Sequence, residues 1–262
     1  MYSELMHTNF DKNAGSYDAY AVSQKRVAQH LTAMINDEKK EFQNIFEIGC
    51  GTGYFSRLLY NNFQPNELLL NDACHNMIDI SRSKLAEYKE IGYCETDIEE
   101  YEFTKNYDLI ATSSTLQWIT QLKELFVKIK NSLNPEGLFA FSLYTEGTFH
   151  ELQTSFRKTY EETGQEVKKH ILDFYKNEEL MDLAESLDLR VKRFETGKYT
   201  FYYKNPMDFL KSVKSIGASG FRTERVCVSM MRKMVRNYRA LFENSKQMVP
   251  VTYQVAYGIL QK

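Results

Sequence analysis

The stretch Phe46-Glu47-Ile48-Gly49-Cys50-Gly51-Thr52-Gly53 decides the fold of this chain of 262 residues. Its apolar start is typical of a buried strand, and the three alternating glycines that follow indicate a tight loop. Glycine lacks a Cβ, so its backbone can adopt positive φ and let a ligand approach closely. A dinucleotide-binding loop would carry a third small residue at position 54, but this chain has Tyr54 there. The loop therefore does not match the dinucleotide fingerprint.

Composition indicates an ordinary globular protein and excludes several classes. Hydrophobic residues make up 43% and charged residues 26% of the chain, and the net charge of -2 excludes a globally basic nucleic-acid binder. No apolar run is long enough for a membrane span, and the polar start at Met1 to Asn13 does not resemble a signal peptide. We therefore expect a cytoplasmic protein without membrane or nucleic-acid partners. The pattern does not fix its oligomeric state.

The cysteines and histidines lack the spacing of a metal site. Four cysteines are dispersed without a C-x-x-C pair, and five histidines are equally scattered. We expect reduced thiols and no bound metal.

Strand and helix patterns alternate along the chain and predict a doubly wound α/β fold. An amphipathic helix is predicted at 22–35, and the turn Asn134-Pro135-Glu136-Gly137 should separate the last helix from the fifth strand. The predicted strands are 44–48, 67–71, 93–95, 107–112, 137–143, 191–203 and 249–259. The last two strands would add an antiparallel edge, which gives a Rossmann-like seven-stranded sheet. We predict one domain over 1–262, with an N-terminal flap and helix at 1–43 and a helical insertion at 204–248.

The glycine loop resembles the cofactor loop of S-adenosylmethionine-dependent methyltransferases, which bind this cofactor at the carboxyl end of the sheet. Gly49, Gly51 and Gly53 would then bring the main chain against the methionyl part, and Glu47 would orient its ammonium group or instead cap loop amides. Asp72 follows the second strand, 19 positions after Gly53, where an acid accepts hydrogen bonds from both ribose hydroxyls. Its alternative role is a helix N-cap.

Five further side chains belong to the predicted site. Asp97 would accept a hydrogen bond from the adenine amino group, with Ile98 and Met77 on the two faces of the ring, although a turn cap and core packing are the alternatives. Ser113, after the fourth strand, would face the methionyl ammonium. Tyr17 belongs to a predicted flap at 10–21 and would close over the transferable methyl, or merely pack the first helix onto the sheet.

A closer resemblance covers nearly the whole chain. Tyr17-Asp18 with Ala21 and Gln24, the segment Ser113-Ser114-Thr115-Leu116-Gln117-Trp118, and the ending Val251-Thr252-Tyr253-Gln254-Val255-Ala256-Tyr257-Gly258 resemble the BioC family of malonyl-acyl-carrier-protein O-methyltransferases. The resemblance implies methylation of the free malonyl carboxylate, carried on the phosphopantetheine of an acidic acyl carrier protein during biotin synthesis. Such a carboxylate is already ionised at neutral pH, so no general base is expected, and Tyr17 would only position the reactants.

The acceptor site is less defined by the sequence. Gln117 and Trp118 would shape the cleft, Phe174 would line the acyl pocket, and Lys211 and Lys214 would contact a carboxylate or phosphate. Each has a structural alternative. Gln117 and Trp118 would secure the end of the fourth strand, Phe174 would pack in the core, and the two lysines would lie on a solvated helix face. The basic run at 222–239 would attract an acidic carrier protein, and its alternative is a solvated helix face without a role in binding.

Two other functions stay open at this stage. One is a methyltransferase for a small carboxylic acid or another small metabolite, and the other is an S-adenosylmethionine-binding regulatory protein without turnover. DNA methylation is disfavoured, because neither Asn-Pro-Pro-Tyr nor a Pro-Cys nucleophile follows the fourth strand.

Overall fold

A computed structural model describes residues 2–218 and 226–262. Its strands form one sheet, and they are β1 (Asn44–Ile48), β2 (Glu67–Asp72), β3 (Ile91–Glu95), β4 (Tyr107–Ser113), β5 (Leu133–Tyr144), β6 (Arg190–Tyr203) and β7 (Val249–Gln261). The strand order is β3-β2-β1-β4-β5-β7-β6, in which β7 runs antiparallel to both of its neighbours and the other pairs are parallel. The predicted Rossmann-like seven-stranded sheet is confirmed.

Helices cover both faces of this sheet. They are α1 (Tyr2–Tyr20), α2 (Val22–Glu38), α3 (Tyr54–Phe63), α4 (His75–Lys84), α5 (Leu122–Asn131), α6 (His150–Thr163), α7 (Asn177–Ser186), α8 (Pro206–Ser215) and α9 (Val228–Phe242), with a short 3-10 helix at Leu116–Trp118. Strand β1 is central and parallel to both neighbours, and it is buried along nearly its whole length. Leu31 of α2 packs in the core cluster that contains Ile45, and Phe126 of α5 packs in the cluster that contains Phe46.

Several predicted strand ends shift by one or two residues, and two predictions differ more from the structure. The fifth strand was expected to begin at Gly137, but β5 begins at Leu133 and includes the predicted turn. Leu133 pairs with Tyr107, and the register then shifts between Tyr107 and Leu109, so the turn residues form an irregularity within the strand pair instead of ending it. The predicted flap at 10–21 is also wrong in form, because residues 10–20 are the second half of α1.

Helix α1 makes contacts with both α4 and α8. On one side, the Asp11 carboxylate accepts a hydrogen bond from the Asn76 backbone N–H at the start of α4, at 2.7 Å. On the other side, the Ser16 hydroxyl donates to the backbone carbonyl of Ser215 at the end of α8, also at 2.7 Å. The N-terminal helix therefore connects the part of the chain predicted to bind a cofactor with the C-terminal helical insertion.

Candidate active site

A cavity of about 280 Å³ lies at the carboxyl ends of the central strands, beside the point where β1 neighbours both β2 and β4. Ligands of open α/β sheets bind at such switch points. The predicted site residues that line this cavity are Tyr17, Gly49, Gly51, Asp72, Met77, Asp97, Ile98, Ser113, Gln117, Trp118 and Phe174. The folded chain thus brings most of the predicted residues together in one place.

The glycine loop has the backbone that its sequence predicts. Gly49 has φ of 69°, and a Cβ there would lie 2.3 Å from the Thr115 hydroxyl oxygen, which no side chain could tolerate. Gly51 has φ of 52°, yet a Cβ there would meet no atom within 4 Å, and the residue lines the cavity. The first glycine therefore allows close packing against the exit of β4, and the second leaves main chain open to a ligand.

Gly53 does not line the cavity. It precedes α3 with φ of 84°, and a Cβ there would lie 2.7 Å from the Ser81 hydroxyl oxygen of α4. The positive φ and the close approach of α4 account for glycine at this position.

Asp72 lines the cavity and also fixes its wall. One carboxylate oxygen accepts from the Gly51 backbone N–H at 2.8 Å, and the other accepts from the Cys74 backbone N–H at 2.9 Å. Burial raises the pKa of this carboxyl above its ordinary value. Each oxygen keeps a second lone pair. The same side chain can therefore brace the loop, hold the turn that precedes α4 and accept hydrogen bonds from a ligand.

Glu47 is a buried acid beside the glycine loop. It is only 1% exposed, and its Oε2 has no hydrogen-bond partner within the described part of the chain. Burial, together with the nearby Asp72 carboxylate, raises its pKa to about 8. Glu47 lines a smaller cavity that shares Gly49, Gly51 and Tyr17 with the large one. A buried, unpartnered carboxyl oxygen at this place suits a cationic ligand group such as an ammonium, whose positive charge would favour the ionised form of the acid.

A third acid and two apolar side chains lie on the neighbouring wall. The Asp97 Oδ1 accepts from the Glu99 backbone N–H at 3.0 Å, so the predicted turn cap exists, while Oδ2 lies 3.8 Å from the His7 ring nitrogen. Met77 and Ile98 are buried and line the cavity with Asp97. This combination of a carboxylate and apolar surfaces fits a flat heterocycle with an exocyclic amino group.

Tyr17 and Ser113 lie at the junction of the two cavities. Burial raises the pKa of Tyr17, so its hydroxyl stays protonated at neutral pH. Next to it on α1, the Asp18 carboxylate accepts from the Thr52 hydroxyl at 2.7 Å, which ties α1 to the glycine loop. The Ser113 hydroxyl accepts from Ser142 at 3.1 Å.

The rest of the large cavity is more apolar and lies toward α6 and α8. Phe174 lines it beside Phe149 and Phe209. The Trp118 ring packs edge-on against Phe10, with ring centroids 5.3 Å apart. The Gln117 side-chain N–H donates to the Ser114 carbonyl at 2.6 Å. This part of the cavity suits an extended, weakly polar group.

The predicted cations are not at this cavity. Lys211 and Lys214 are exposed on α8, whereas Leu210 and Val213 of the same helix line the cavity. Of the basic run at 222–239, Arg222 and Arg225 lie outside the described residues. Further along α9, Arg236 pairs with Glu162 at 2.9 Å and Arg239 pairs with Glu243 at 3.2 Å.

Comparison with known proteins gives the family. Residues 46–141 match the family described as "Methyltransferase domain". A malonyl-acyl-carrier-protein O-methyltransferase 2 from Ilyobacter polytropus is 36% identical, over 82% of this chain and 80% of the relative. A malonyl-acyl-carrier-protein O-methyltransferase from Priestia megaterium is 32% identical, over 95% of this chain and 94% of the relative. The chain belongs to the malonyl-acyl-carrier-protein O-methyltransferase family.

A solved structure supports the fold of this family member independently. Phosphoethanolamine N-methyltransferase 2 from Haemonchus contortus, solved with S-adenosylhomocysteine, superposes with a TM-score of 0.61 at 16% identity, over all of this chain and 60% of the other. Among residues 2–218 and 226–262 of this O-methyltransferase family member, no helix is long and apolar enough to cross a membrane. Nor do three or more His, Cys, Asp or Glu side chains in those ranges gather as a metal site would require.

Several polar residues of the cavity in this O-methyltransferase family member were not predicted from the sequence. Three of them are Gln24 on α2, Tyr144 at the end of β5 and Tyr253 on β7. A local signal existed only for Tyr144, since the last residue of a central strand points to the ligand edge of the sheet. Gln24 and Tyr253 reach the site only through packing between distant segments.

Proposed function

We propose that this protein transfers the methyl group of S-adenosylmethionine to the free carboxylate of malonyl on an acyl carrier protein, which gives the malonyl methyl ester for biotin synthesis. The observation that carries this proposal is a single cavity with two unlike halves. One half has the glycine loop and the carboxylates Asp72 and Asp97, and the other is apolar around Phe149 and Phe174. Family membership supports the same donor and acceptor.

The cofactor half supplies partners for each polar part of S-adenosylmethionine. In this proposal Asp72 holds the ribose hydroxyls, Asp97 holds the adenine amino group, and Met77 and Ile98 enclose the ring. Glu47 attracts the methionyl ammonium, which would give its unpartnered oxygen a partner. When bound, the cofactor supplies an electrophilic methyl group on a positively charged sulfur.

The chain's contribution to the reaction is orientation. The acceptor carboxylate has an ordinary pKa near 4 and is already ionised at neutral pH. One of its oxygens forms a bond to the methyl carbon while the carbon–sulfur bond breaks and leaves its electron pair on sulfur. No proton moves, so no general base is required. Tyr17 and the apolar wall align the oxygen with the methyl and exclude water, and alignment of this kind can remove a large part of a barrier.

The carrier protein would approach from the side of α8 and α9. In this proposal the apolar half of the cavity admits the malonyl group and the end of the phosphopantetheine arm. The exposed Lys211, Lys214 and Arg232 lie on these helices, where they would attract an acidic partner. Residues 1–262 would work as one domain, with 204–248 as the insertion that receives the carrier. The free thiols of Cys50, Cys74, Cys94 and Cys227 support a cytoplasmic location.

A comparison of three acceptors tests the proposal. Methyl-labelled S-adenosylmethionine is incubated with malonyl-carrier protein, malonyl-coenzyme A or free malonate, and base-labile methyl ester is measured. We expect the highest kcat/KM with the carrier protein. Equal or better turnover of free malonate would instead favour a small-molecule methyltransferase. Cofactor binding without ester from any of these acceptors would favour a regulatory protein.

A further inference from the structure

The lining of the large cavity lacks the strongly basic side chains that usually bind an anionic acceptor, as far as the described residues show. Among its described lining residues there is no lysine and no arginine. Lys211 and Lys214 are exposed on α8 outside that lining. A cation in direct contact would orient a carboxylate, but it would also draw electron density from the oxygen that must attack. Neutral hydrogen-bond donors can orient the oxygen and reduce its nucleophilicity less than a cation does.

Neutral donors are gathered at one point of the wall. The Ser23 hydroxyl donates to the Gln24 side-chain oxygen at 3.0 Å, and it lies 2.9 Å from the Tyr144 hydroxyl. Since Ser23 has one proton and gives it to Gln24, Tyr144 must donate to Ser23. This directed chain fixes the Gln24 amide by its oxygen. The two N–H groups of that amide have no hydrogen-bond partner within the described chain, and Gln24 lines both cavities.

Tyr253 adds a second donor beside this chain. Its ring packs against that of Tyr144, with centroids 5.3 Å apart, and both residues are 7% exposed and line the large cavity. Burial raises the pKa of Tyr144 to about 12 and raises that of Tyr253 as well, so both hydroxyls stay protonated at neutral pH. Phe149 packs edge-on against Tyr253 at 4.9 Å, which places this hydroxyl-bearing ring at the border of the apolar half.

We propose that the Gln24 amide and the Tyr253 hydroxyl bind the carboxylate of the methyl acceptor, and that Tyr144 positions Gln24 through Ser23. This inference rests on the proposed function and names the acceptor receptor within that site. Gln24 and Tyr253 contact substrate, whereas Tyr144 is a positioning residue.

The test measures recognition of the carboxylate itself. Affinities for malonyl-carrier and acetyl-carrier protein are measured with S-adenosylhomocysteine bound, because acetyl has the same arm and carrier but lacks the carboxylate. We expect Gln24→Ala and Tyr253→Phe each to lower the malonyl-to-acetyl affinity ratio by about tenfold, the size of a hydrogen bond to a charged group. Tyr144→Phe should lower it less. Affinity for S-adenosylhomocysteine alone should not change.

Matched controls lie away from the cavity. Gln29→Ala removes an amide on the same helix that donates to the Tyr54 hydroxyl at 2.8 Å. Tyr199→Phe removes a hydroxyl that is hydrogen-bonded to the Tyr257 hydroxyl, with the two oxygens 2.7 Å apart. Neither residue lines the large cavity, so neither change should alter the ratio.

Three results would overturn the inference. The first is an unchanged malonyl-to-acetyl affinity ratio in both Gln24→Ala and Tyr253→Phe. If Tyr253→Phe folds poorly, an unchanged ratio in Gln24→Ala alone is sufficient. The second is a parallel fall in S-adenosylhomocysteine affinity, which would assign Gln24 to the cofactor. The third is a larger fall in Lys211→Ala, Arg222→Ala or Arg225→Ala. Absence of turnover of malonyl-carrier by the wild type would instead refute the proposed function, so the two failures are distinguishable.

Discussion

Replacement of Asp72 by alanine is the sharpest test of the cofactor site. If this carboxylate accepts hydrogen bonds from two ribose hydroxyls, the variant loses two bonds to a charged group, each worth about 1.5 to 3 kcal/mol. The sum of about 3 to 6 kcal/mol corresponds to a loss of about 100-fold to 20,000-fold in affinity. Isothermal titration with S-adenosylmethionine or S-adenosylhomocysteine measures it directly.

The same substitution also removes two bonds within the protein. The Gly51 and Cys74 backbone N–H groups both donate to Asp72, but the cost of burying the carboxylate offsets part of these two bonds. Asp72→Ala should therefore lower the free energy of unfolding by about 2 kcal/mol in the absence of cofactor, less than the sum of two full bonds. Urea unfolding separates this effect from binding. Asp79→Ala is the matched control, since that acid is exposed on α4 and lies outside both cavities. A folded Asp72→Ala protein with wild-type cofactor affinity would refute the ribose assignment.

Three further changes probe the loop and its neighbours. Burial raises the Glu47 pKa from 4.5 to about 8, so the contribution of this residue to the free energy of unfolding is lost as pH rises between these values. Glu47→Gln should therefore reduce the fall in the free energy of unfolding that urea unfolding measures from about pH 5 to 8. The same fall in the wild type and the variant would contradict this reasoning. Gly51→Ala should weaken cofactor binding in titrations, because the new methyl enters the cavity, and wild-type affinity would rule this out. The φ of 52° should in addition lower the free energy of unfolding of this variant by about 1 to 2 kcal/mol. Burial favours protonation of Asp18, but hydrogen bonds from Lys84 and Thr52 keep the pKa of this carboxyl below its ordinary value. The stabilising effect of the ionised carboxylate should therefore be lost on acidification. Asp18→Ala should remove this acid dependence of the melting temperature in thermal melts. An unaltered acid dependence would show that Asp18 does not stabilise the fold.

Local sequence pattern predicted what depends on neighbours along the chain. The strand β1, the glycine loop and Asp72 follow one another within a single strand-loop-helix-strand unit, so their places relative to the sheet follow from the fold class. The alternating pattern of the late strands likewise predicted an antiparallel edge, which the pairing of β6 with β7 confirms.

The acceptor side could not be predicted in the same way. Lys211 and Lys214 were chosen for their charge, but the helical phase of α8 turns Leu210 and Val213 to the cavity and leaves the lysines exposed. Gln24 lies on a helix with an ordinary amphipathic pattern, and only the fold shows that it lines the same cavity as Tyr253 of β7. Sequence separation conceals such a cluster, because no periodicity links its members.

The distribution of charge explains how one cavity can serve a cationic donor and an anionic acceptor. Glu47, Asp72 and Asp97 all lie on the cofactor side, whereas the described lining of the acceptor side has aromatic rings, hydroxyls and amides without lysine or arginine. The positive sulfur of a bound cofactor would thus be the nearest strong attraction for the acceptor carboxylate. That charge disappears when the methyl is transferred, and the ester formed is neutral at the same moment. Attraction between the two substrates is therefore lost in the chemical step itself, which favours release of product over its retention.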